Sequence, residues 1–341
     1  MNNPCLSTAP IVNLQRRASL AKQLRAFFDS RGFTEVQTPV LSRYCVIDRH
    51  LDPIRIPAPN VAIPSQTDSH YTPNNEPSSD PSTDQYWYLQ TSPEQAMKRL
   101  LASGLGSCYQ LGPVFRSAEF GPVHNPEFTM AEWYDLHASL DQGLQLLDEL
   151  LQNLLHTQPA LQIRFASAFE QTTGITLFDA STADLANWAT NRKLVDSIHW
   201  SNDWDDWVNL IFSFVVQPTL GFHRPTLITH FPASQAALAK LDSTDPRTAE
   251  RYEAFYQGVE LANGYHELLN ADDLEFRSKI ANQQRIEDGK FPLPEKNPLL
   301  DAMRIGFPSC CGCALGFDRL VMLACNATNL SDVIPFPADR A

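Results

Sequence analysis

Positive charge is scarce in this sequence: 26 Lys and Arg stand against 39 Asp and Glu over 341 residues, a formal net of −13. A surface of that sign repels polyanions. It excludes a protein built to wrap nucleic acid and leaves room only for a local basic pocket around a small phosphate ligand. Long apolar runs are missing as well. Nowhere does the chain hold the roughly 18 uninterrupted apolar residues that span a bilayer, and its opening MNNPCLSTAP lacks the basic start and apolar stretch of an export signal. A cytoplasmic location without a membrane partner is therefore expected. Cysteines number seven, an odd count, so reduced thiols are the default. Cys310, Cys311 and Cys313 lie close together, but a structural zinc site takes four ligands, usually as two separated pairs. No internal repeat is visible, and neither a P-loop nor a dinucleotide fingerprint occurs.

Apolar material is ample: 43% hydrophobic residues suffice for a large core in one elaborate α+β domain or in two. Apolar residues at Leu14, Ala18, Ala21, Leu24, Phe27 and Phe28 predict a helix that stops at Gly32. A strand, FTEVQ, runs from there into Thr38-Pro39. Residues 57–85 carry six prolines among Ser, Thr, Asn and Asp, a composition that packs no core and reads as a mobile insertion. In Thr91-Ser92-Pro93-Glu94-Gln95 the serine suits an N-cap, the proline a first turn and Gln95 a capping box, so a helix is expected to end at Gly104. Strand patterns cover residues 108–115 and 128–136 around a polar loop, and a Leu-rich amphipathic helix covers residues 140–155. Residues 160–225 read as helices, with Trp200, Trp204 and Trp207 as core. LITHF reads as a buried strand and residues 251–261 as another, leading into an Asn263-Gly264 turn. Residues 272–288 form a charged helix. Gly312-Cys313-Ala314-Leu315-Gly316 reads as a glycine-rich turn feeding the helix FDRLVMLAC.

Three constellations carry chemistry. With Asn263 and Gly264 as the central pair of a tight hairpin, Glu260 pairs directly with Glu267. Opposed carboxylates on one sheet face repel. A magnesium ion, held by one or two carboxylates together with substrate phosphates, removes that penalty; two solvated surface glutamates are the alternative. His266 falls on the opposite face and reads as packed. Second, the glycine-rich turn allows close backbone approach at a helix N-terminus, which favours anions, and Arg319 adds a full charge in that helix's first turn. Third, Arg116 at the end of one strand and Phe128 on the return strand place a guanidinium and a ring on one ligand. Phosphate or carboxylate is the natural match, unless a neighbouring acid engages Arg116.

Taken in order, these segments resemble the motifs of class II aminoacyl-tRNA synthetases of the lysyl branch. RGFTEVQTPVL resembles the first class motif, with Pro39 at the position associated with dimer contacts. FRSAEFGPVHNPEFTMAEWY resembles the second and GCALGFDRLVML the third, while YLQTSPEQAMKRLL and GVELANGYHEL match as well. The likeness covers nearly the whole chain from Leu14. Because the first motif begins there, no anticodon-binding domain is expected ahead of it. The likeness is nearest to stand-alone paralogues of lysyl-tRNA synthetase that act as ligases on translation elongation factor P.

The resemblance implies one catalytic domain over residues 1–341, an α+β fold with an antiparallel sheet flanked by helices, in a homodimer. It implies activation of β-lysine or lysine with ATP and magnesium and transfer to a lysine side chain of elongation factor P, without recognition of a tRNA anticodon. Arg116, holding the α-phosphate and substrate carboxylate, and Arg319, meeting adenine and the γ-phosphate, are the expected catalytic pair. Ser117, Ala118, Asn125, Phe128 (stacked on adenine), Glu260, Leu261 and Gly316 are expected to complete the ATP site. Ser92, Pro93, Glu94, Tyr134, Glu267 and Ala314 form the expected amino-acid pocket, and Glu260 and Glu267 the magnesium region. Ala314, standing where lysyl-tRNA synthetases have glycine, implies a reshaped pocket floor that favours β-lysine over α-lysine. The chain reads Arg116-Ser117-Ala118 where the family reads Arg-Asn-Glu, with an acid displaced to Glu119, and Gly121-Pro122-Val123 lacks the usual basic residue. Either ATP is held less tightly, or Glu119 substitutes. Two other readings stay open: a ligase of the same build with a tRNA or free-amine acceptor, and a silent paralogue that binds an amino acid or nucleotide.

Overall fold

The computed structural model describes residues 5–58 and 85–341. The insertion expected at residues 57–85 lies, apart from its ends, outside the described residues. Helix α1 (Ile11–Asp29) leads into β1 (Thr34–Glu35), and β2 (Leu41–Ser42), β3 (Arg55–Pro57) and β4 (Tyr86–Leu89) pair as a small sheet in the order β2-β4-β3. Helix α2 (Glu94–Ala102) precedes a long hairpin of β5 (Cys108–Phe115) and β6 (Glu127–Leu136), and α3 (Leu140–Leu155) follows. The middle of the chain gives β7 (Leu161–Arg164), α4 (Phe165–Thr173), α5 (Thr182–Asn191) and α6 (Trp204–Ile211). The remainder supplies β8 (Thr226–Pro232), β9 (Thr248–Tyr256), β10 (Val259–His266), α7 (Ala271–Glu287), α8 (Pro298–Ile305), β11 (Cys310–Gly316) and α9 (Phe317–Ala324).

Eight of these strands form one sheet, ordered β1-β5-β6-β11-β10-β9-β8-β7. Only the edge pairs β1–β5 and β7–β8 are parallel; every other pairing is antiparallel. This is the α+β architecture expected, a large antiparallel sheet flanked by helices. One face of the sheet rests on α1, α3 and α9. Helix α3 shows why: Leu140, Leu144, Leu147, Leu151 and Leu154 recur every three or four residues and are buried, while Ser139 and Gln142 close a capping box at its start. These leucines join Phe28, Tyr109, Trp133, Tyr252, Cys311 and Cys313 in one apolar core. Each fully buried side chain of this size contributes about 1.5–3 kcal/mol. A second core, built on Phe165, Trp207, Phe212 and Phe231, lies under α4 and α6. Trp207 is core as expected, whereas Trp200 is half exposed.

Three local expectations fail for identifiable reasons. Asn263 and Gly264 lie inside β10, paired with Glu253 and Tyr252 of β9. The turn is at Gln257 and Gly258, both with positive φ, 52° and 75°, as a two-residue hairpin of this twist requires. Gly264 is a glycine because a Cβ there would lie within the ring of Tyr252, 2.5 Å from its hydroxyl. Consequently Glu260 pairs with Phe255, not Glu267. The two glutamates sit seven residues apart along one chain direction, about 20 Å at strand rise, too far to share one cation. Likewise, Gly312 to Gly316 is strand β11, not a turn, and only Gly316 caps the helix behind it. Finally, α2 has no capping box: Pro93 stands at its N-cap, and the Gln95 amide donates to the Cys45 carbonyl instead (2.6 Å). Its end is as expected, with Ser103 at the C-cap and Gly104 at φ 90°.

Candidate active site

The sheet face turned away from α1, α3 and α9 lines a cavity of about 960 Å³. Strand register sets its chemistry, because residues directly paired across antiparallel strands share a face. Gln110, Glu132, Ala314, Asn263 and Glu253 stand side by side across β5, β6, β11, β10 and β9. The next row is Cys108, Tyr134, Gly312, Tyr265 and Arg251. Cys311 and Cys313 alternate to the opposite face and enter the apolar core, where burial pushes both thiols up. Among the described residues no cluster of three metal-ligating side chains occurs.

One end of the cavity is acidic and dry. Helix α2 delivers Glu94 and, one turn later, Lys98, whose Nζ donates to Glu94 Oε1 (2.5 Å) and lies 2.6 Å from Glu267 Oε2. All three are buried. Burial disfavours the Lys98 charge, but the Glu267 and Glu94 carboxylates outweigh it and hold the ammonium protonated. Tyr134 Oη donates to Glu132 Oε1 (2.6 Å), and Glu132 Oε2 is buried with no hydrogen-bond partner among the described residues. Burial first, then the charge of Glu94, pushes the Glu132 carboxyl up to about 8. Glu267 is raised by burial to about 7 against the pull of Lys98. A carboxylate with an unmet oxygen in such a place accepts an ammonium group readily.

The other end is cationic. The Arg116 guanidinium lies 5.1 Å from the centroid of the Phe128 ring and 3.7 Å from Glu119 Oε1, and its Nε is a buried donor without a hydrogen-bond partner among the described residues. Arg319 is held in place by three contacts: Nε donates to the Val123 carbonyl (3.1 Å), Nη1 to the Glu260 carbonyl (3.1 Å), and Nη2 to His124 Nε2 (2.7 Å). His124 must be neutral to accept that bond, and burial followed by the Arg319 charge lowers its pKa. Along the wall between the two ends, Arg251 pairs with Glu253 (2.5 Å). Burial pushes Glu253 up to about 7, with the Glu260 charge adding to the rise. The carboxyl in electrostatic range of Glu260 is therefore Glu253, on the neighbouring strand, not Glu267.

Most expected site residues converge here. Ser92, Glu94, Arg116, Asn125, Phe128, Tyr134, Glu260, Leu261, Glu267, Ala314, Gly316 and Arg319 all line the cavity. Gly316 has no positive φ, and a Cβ on it would meet nothing nearer than 3.7 Å. The fold itself does not require a glycine there, which suits close approach of a ligand. Asn125 is largely engaged within the chain, donating to the Glu127 carbonyl (2.6 Å) and accepting from the Ala338 N–H (2.9 Å). Pro93 serves at the helix N-cap. Ser117 and Ala118 are exposed and off the cavity wall, whereas Glu119 lies on it. Ala118 has φ 63°, and the Ser117 N–H donates to the Asp52 carbonyl (2.7 Å). His266 is packed, as expected, between Glu250 and Ser309. Sequence reasoning missed Lys98, Glu132, Arg251 and Glu253. The available signals were the i,i+4 spacing of Glu94 and Lys98 and the flanking of Glu132 by apolar residues on both sides in Met-Ala-Glu-Trp-Tyr.

The family model for class II tRNA synthetases (D, K and N) matches residues 8–340. A protein of Salmonella arizonae named elongation factor P–(R)-β-lysine ligase is 41% identical over 336 residues, covering 98% of this chain and 97% of that protein. Proteins of the same name from Salmonella paratyphi B and Salmonella dublin match to the same extent. No helix among the described residues is long and apolar enough to cross a membrane.

Proposed function

This chain belongs to the class II tRNA synthetases of the D, K and N type, and on that premise we propose that it is an ATP-dependent ligase that attaches β-lysine, or lysine, to a lysine side chain of translation elongation factor P. The observation that carries the reading is the polarity of one cavity: buried carboxylates at one end, an arginine with an unmet Nε at the other. A diamino acid bridges the two, its terminal ammonium toward Glu94, Glu132 and Glu267 and its carboxylate toward Arg116. ATP enters beside Phe128 and Arg319.

In the first half-reaction a carboxylate oxygen of the amino acid attacks the α-phosphorus of ATP, forming the mixed anhydride and releasing pyrophosphate. No proton moves in that step, so the side chains act by positioning and by neutralising charge. Arg116 directs its free Nε–H at the anion. Arg319, tied to Val123, Glu260 and His124, presents a guanidinium that needs no rearrangement. In the second half-reaction the acceptor amine attacks the anhydride carbonyl, AMP leaves, and the amine gives up a proton. Glu260 and Glu253, the latter raised by burial with the Glu260 charge adding to the rise, would hold a magnesium ion, which would supply charge neutralisation at the phosphates. We extend the proposal to one catalytic domain, a cytoplasmic location and a homodimer.

Amino-acid-dependent exchange of pyrophosphate into ATP tests the first half, and intact-mass measurement of elongation factor P after incubation tests the second. Exchange with lysine or β-lysine and a matching mass increase on the protein are expected. Exchange absent with both would leave a binding protein only; a product found on tRNA alone would replace the acceptor.

A further inference from the structure

The Lys98 ammonium is buried just behind the cavity wall, with 3% of its side chain exposed, between two carboxylates that do line the cavity, Glu94 and Glu267. Its surroundings do not require a charge for packing. Met97 and Leu101 beside it on α2, with Cys108 and Cys310, form an apolar cluster that a methionine side chain would extend. A buried ion pair as a whole contributes little to stability compared with well-packed apolar residues, although removing one partner alone is destabilising. What the charge does is geometric. It lies between Glu94 and Glu267, 5.7 Å from the centroid of the Tyr134 ring. Glu267 is fixed from two further sides: its N–H donates to the Cys310 carbonyl (3.0 Å), and Gly312 leaves space for its carboxylate by lacking a Cβ.

We infer that Lys98 is a positioning residue of the amino-acid pocket: its ammonium fixes the Glu94 and Glu267 carboxylates and leaves Glu132 as the open acceptor for a substrate ammonium. The inference rests on the reading of the cavity as a diamino-acid site. With Lys98 engaging Glu94 and Glu267, Glu132 Oε2 is left with neither a hydrogen bond nor an ion pair among the described residues. Without Lys98 the two carboxylates would repel and swing apart, and the substrate would meet a disordered receptor. Loss of such preorganisation weakens amino-acid binding in ground and transition states alike, which raises KM with little change in kcat.

Lys98→Met, assayed by pyrophosphate exchange, is expected to raise KM for β-lysine by about 30-fold or more, the lower end for truncating one partner of a buried charge pair at a binding surface, with KM for ATP within about twofold of wild type. Lys98→Ala removes a group with the shape of n-propylammonium. Adding n-propylammonium is expected to restore the amino-acid KM, and adding 1-propanol is not. If Lys98→Met does not accumulate folded, Lys98→Gln, which keeps one donor to Glu94, carries the same test with a smaller rise. An unchanged amino-acid KM, a parallel rise in ATP KM, or equal rescue by propanol would each overturn the role. Wild-type protein lacking any lysine-dependent exchange would instead remove the functional reading beneath it.

Discussion

Replacing Glu132 with glutamine should make the protein more stable and less active at the same time. In the folded chain burial raises this carboxyl from 4.5 to about 8, so between those pH values the folded state keeps a proton that the unfolded chain has released. Stability changes with pH as the difference in bound protons, unfolded minus folded. That difference is negative here, and stability therefore falls as pH rises from 4.5 toward 8. One proton corresponds to about 1.4 kcal/mol per pH unit, so the accumulated penalty at pH 7 is on the order of 3 kcal/mol. Glutamine has the shape of the protonated acid, still accepts from Tyr134 Oη, and carries no such penalty. Urea unfolding at pH 5, 6, 7 and 8 should show the two proteins nearly equal at pH 5 and the Glu132→Gln variant progressively ahead above it. Exchange of pyrophosphate driven by lysine or β-lysine should fall by at least about 100-fold, the scale of a lost charge-assisted contact. Parallel stability curves, or a variant that is weaker at pH 8, would refute the reasoning.

Gly312→Ala would place a Cβ 2.5 Å from Tyr134 Cε1 and closer still to Glu267 Oε1; a loss of about 1–3 kcal/mol and of amino-acid-dependent exchange is expected, and exchange at wild-type rate would show that the pocket yields. Ala314→Gly should raise α-lysine activation relative to β-lysine, because Ala314 stands in register between Glu132 and Asn263; an unchanged ratio of exchange rates counts against it. Arg319→Lys loses at least two of three tethers, so titration calorimetry should show ATP binding weakened by about tenfold or more with lysine binding intact. Because burial and the Arg319 charge lower the His124 pKa from its ordinary 6.5, the drop in ATP affinity on acidification should have its midpoint below pH 6.5. A drop already complete at pH 6.5 would contradict the His124–Arg319 bond.

Much of the fold was legible because its signals are local. The leucine spacing of α3 and the alternation in β5 and β6 depend on neighbours a few residues away. The ends of that hairpin placed Arg116 and Phe128 together for the same reason. Glu132 was not legible as a site residue, since its burial depends on β11, whose sequence lies nearly two hundred positions later. Glu253 was masked likewise: its place beside Glu260 follows from a turn at Gln257-Gly258 that carries a weaker signal than Asn263-Gly264. The latter pair misled because glycine serves two purposes. At Gly264 the missing side chain makes room for Tyr252, a contact that composition cannot reveal. Ser117 and Ala118 occupy the motif positions, but the left-handed backbone at Ala118 turns the loop so that the next residue, Glu119, reaches the cavity.

Strand β11 lies between β6 and β10, the two central strands that carry Glu132 and Asn263, yet it follows both of them in the chain. Until residues 310–316 emerge, the two halves of the floor have no partner to join them and each presents an open edge of unpaired amides and carbonyls. A nascent chain that has not reached β11 therefore lacks the continuous floor on which Glu132, Ala314 and Asn263 stand side by side. The same order makes any message truncated before residue 310 hazardous, since its product would expose two sticky edges and depend on chaperones or proteases for removal.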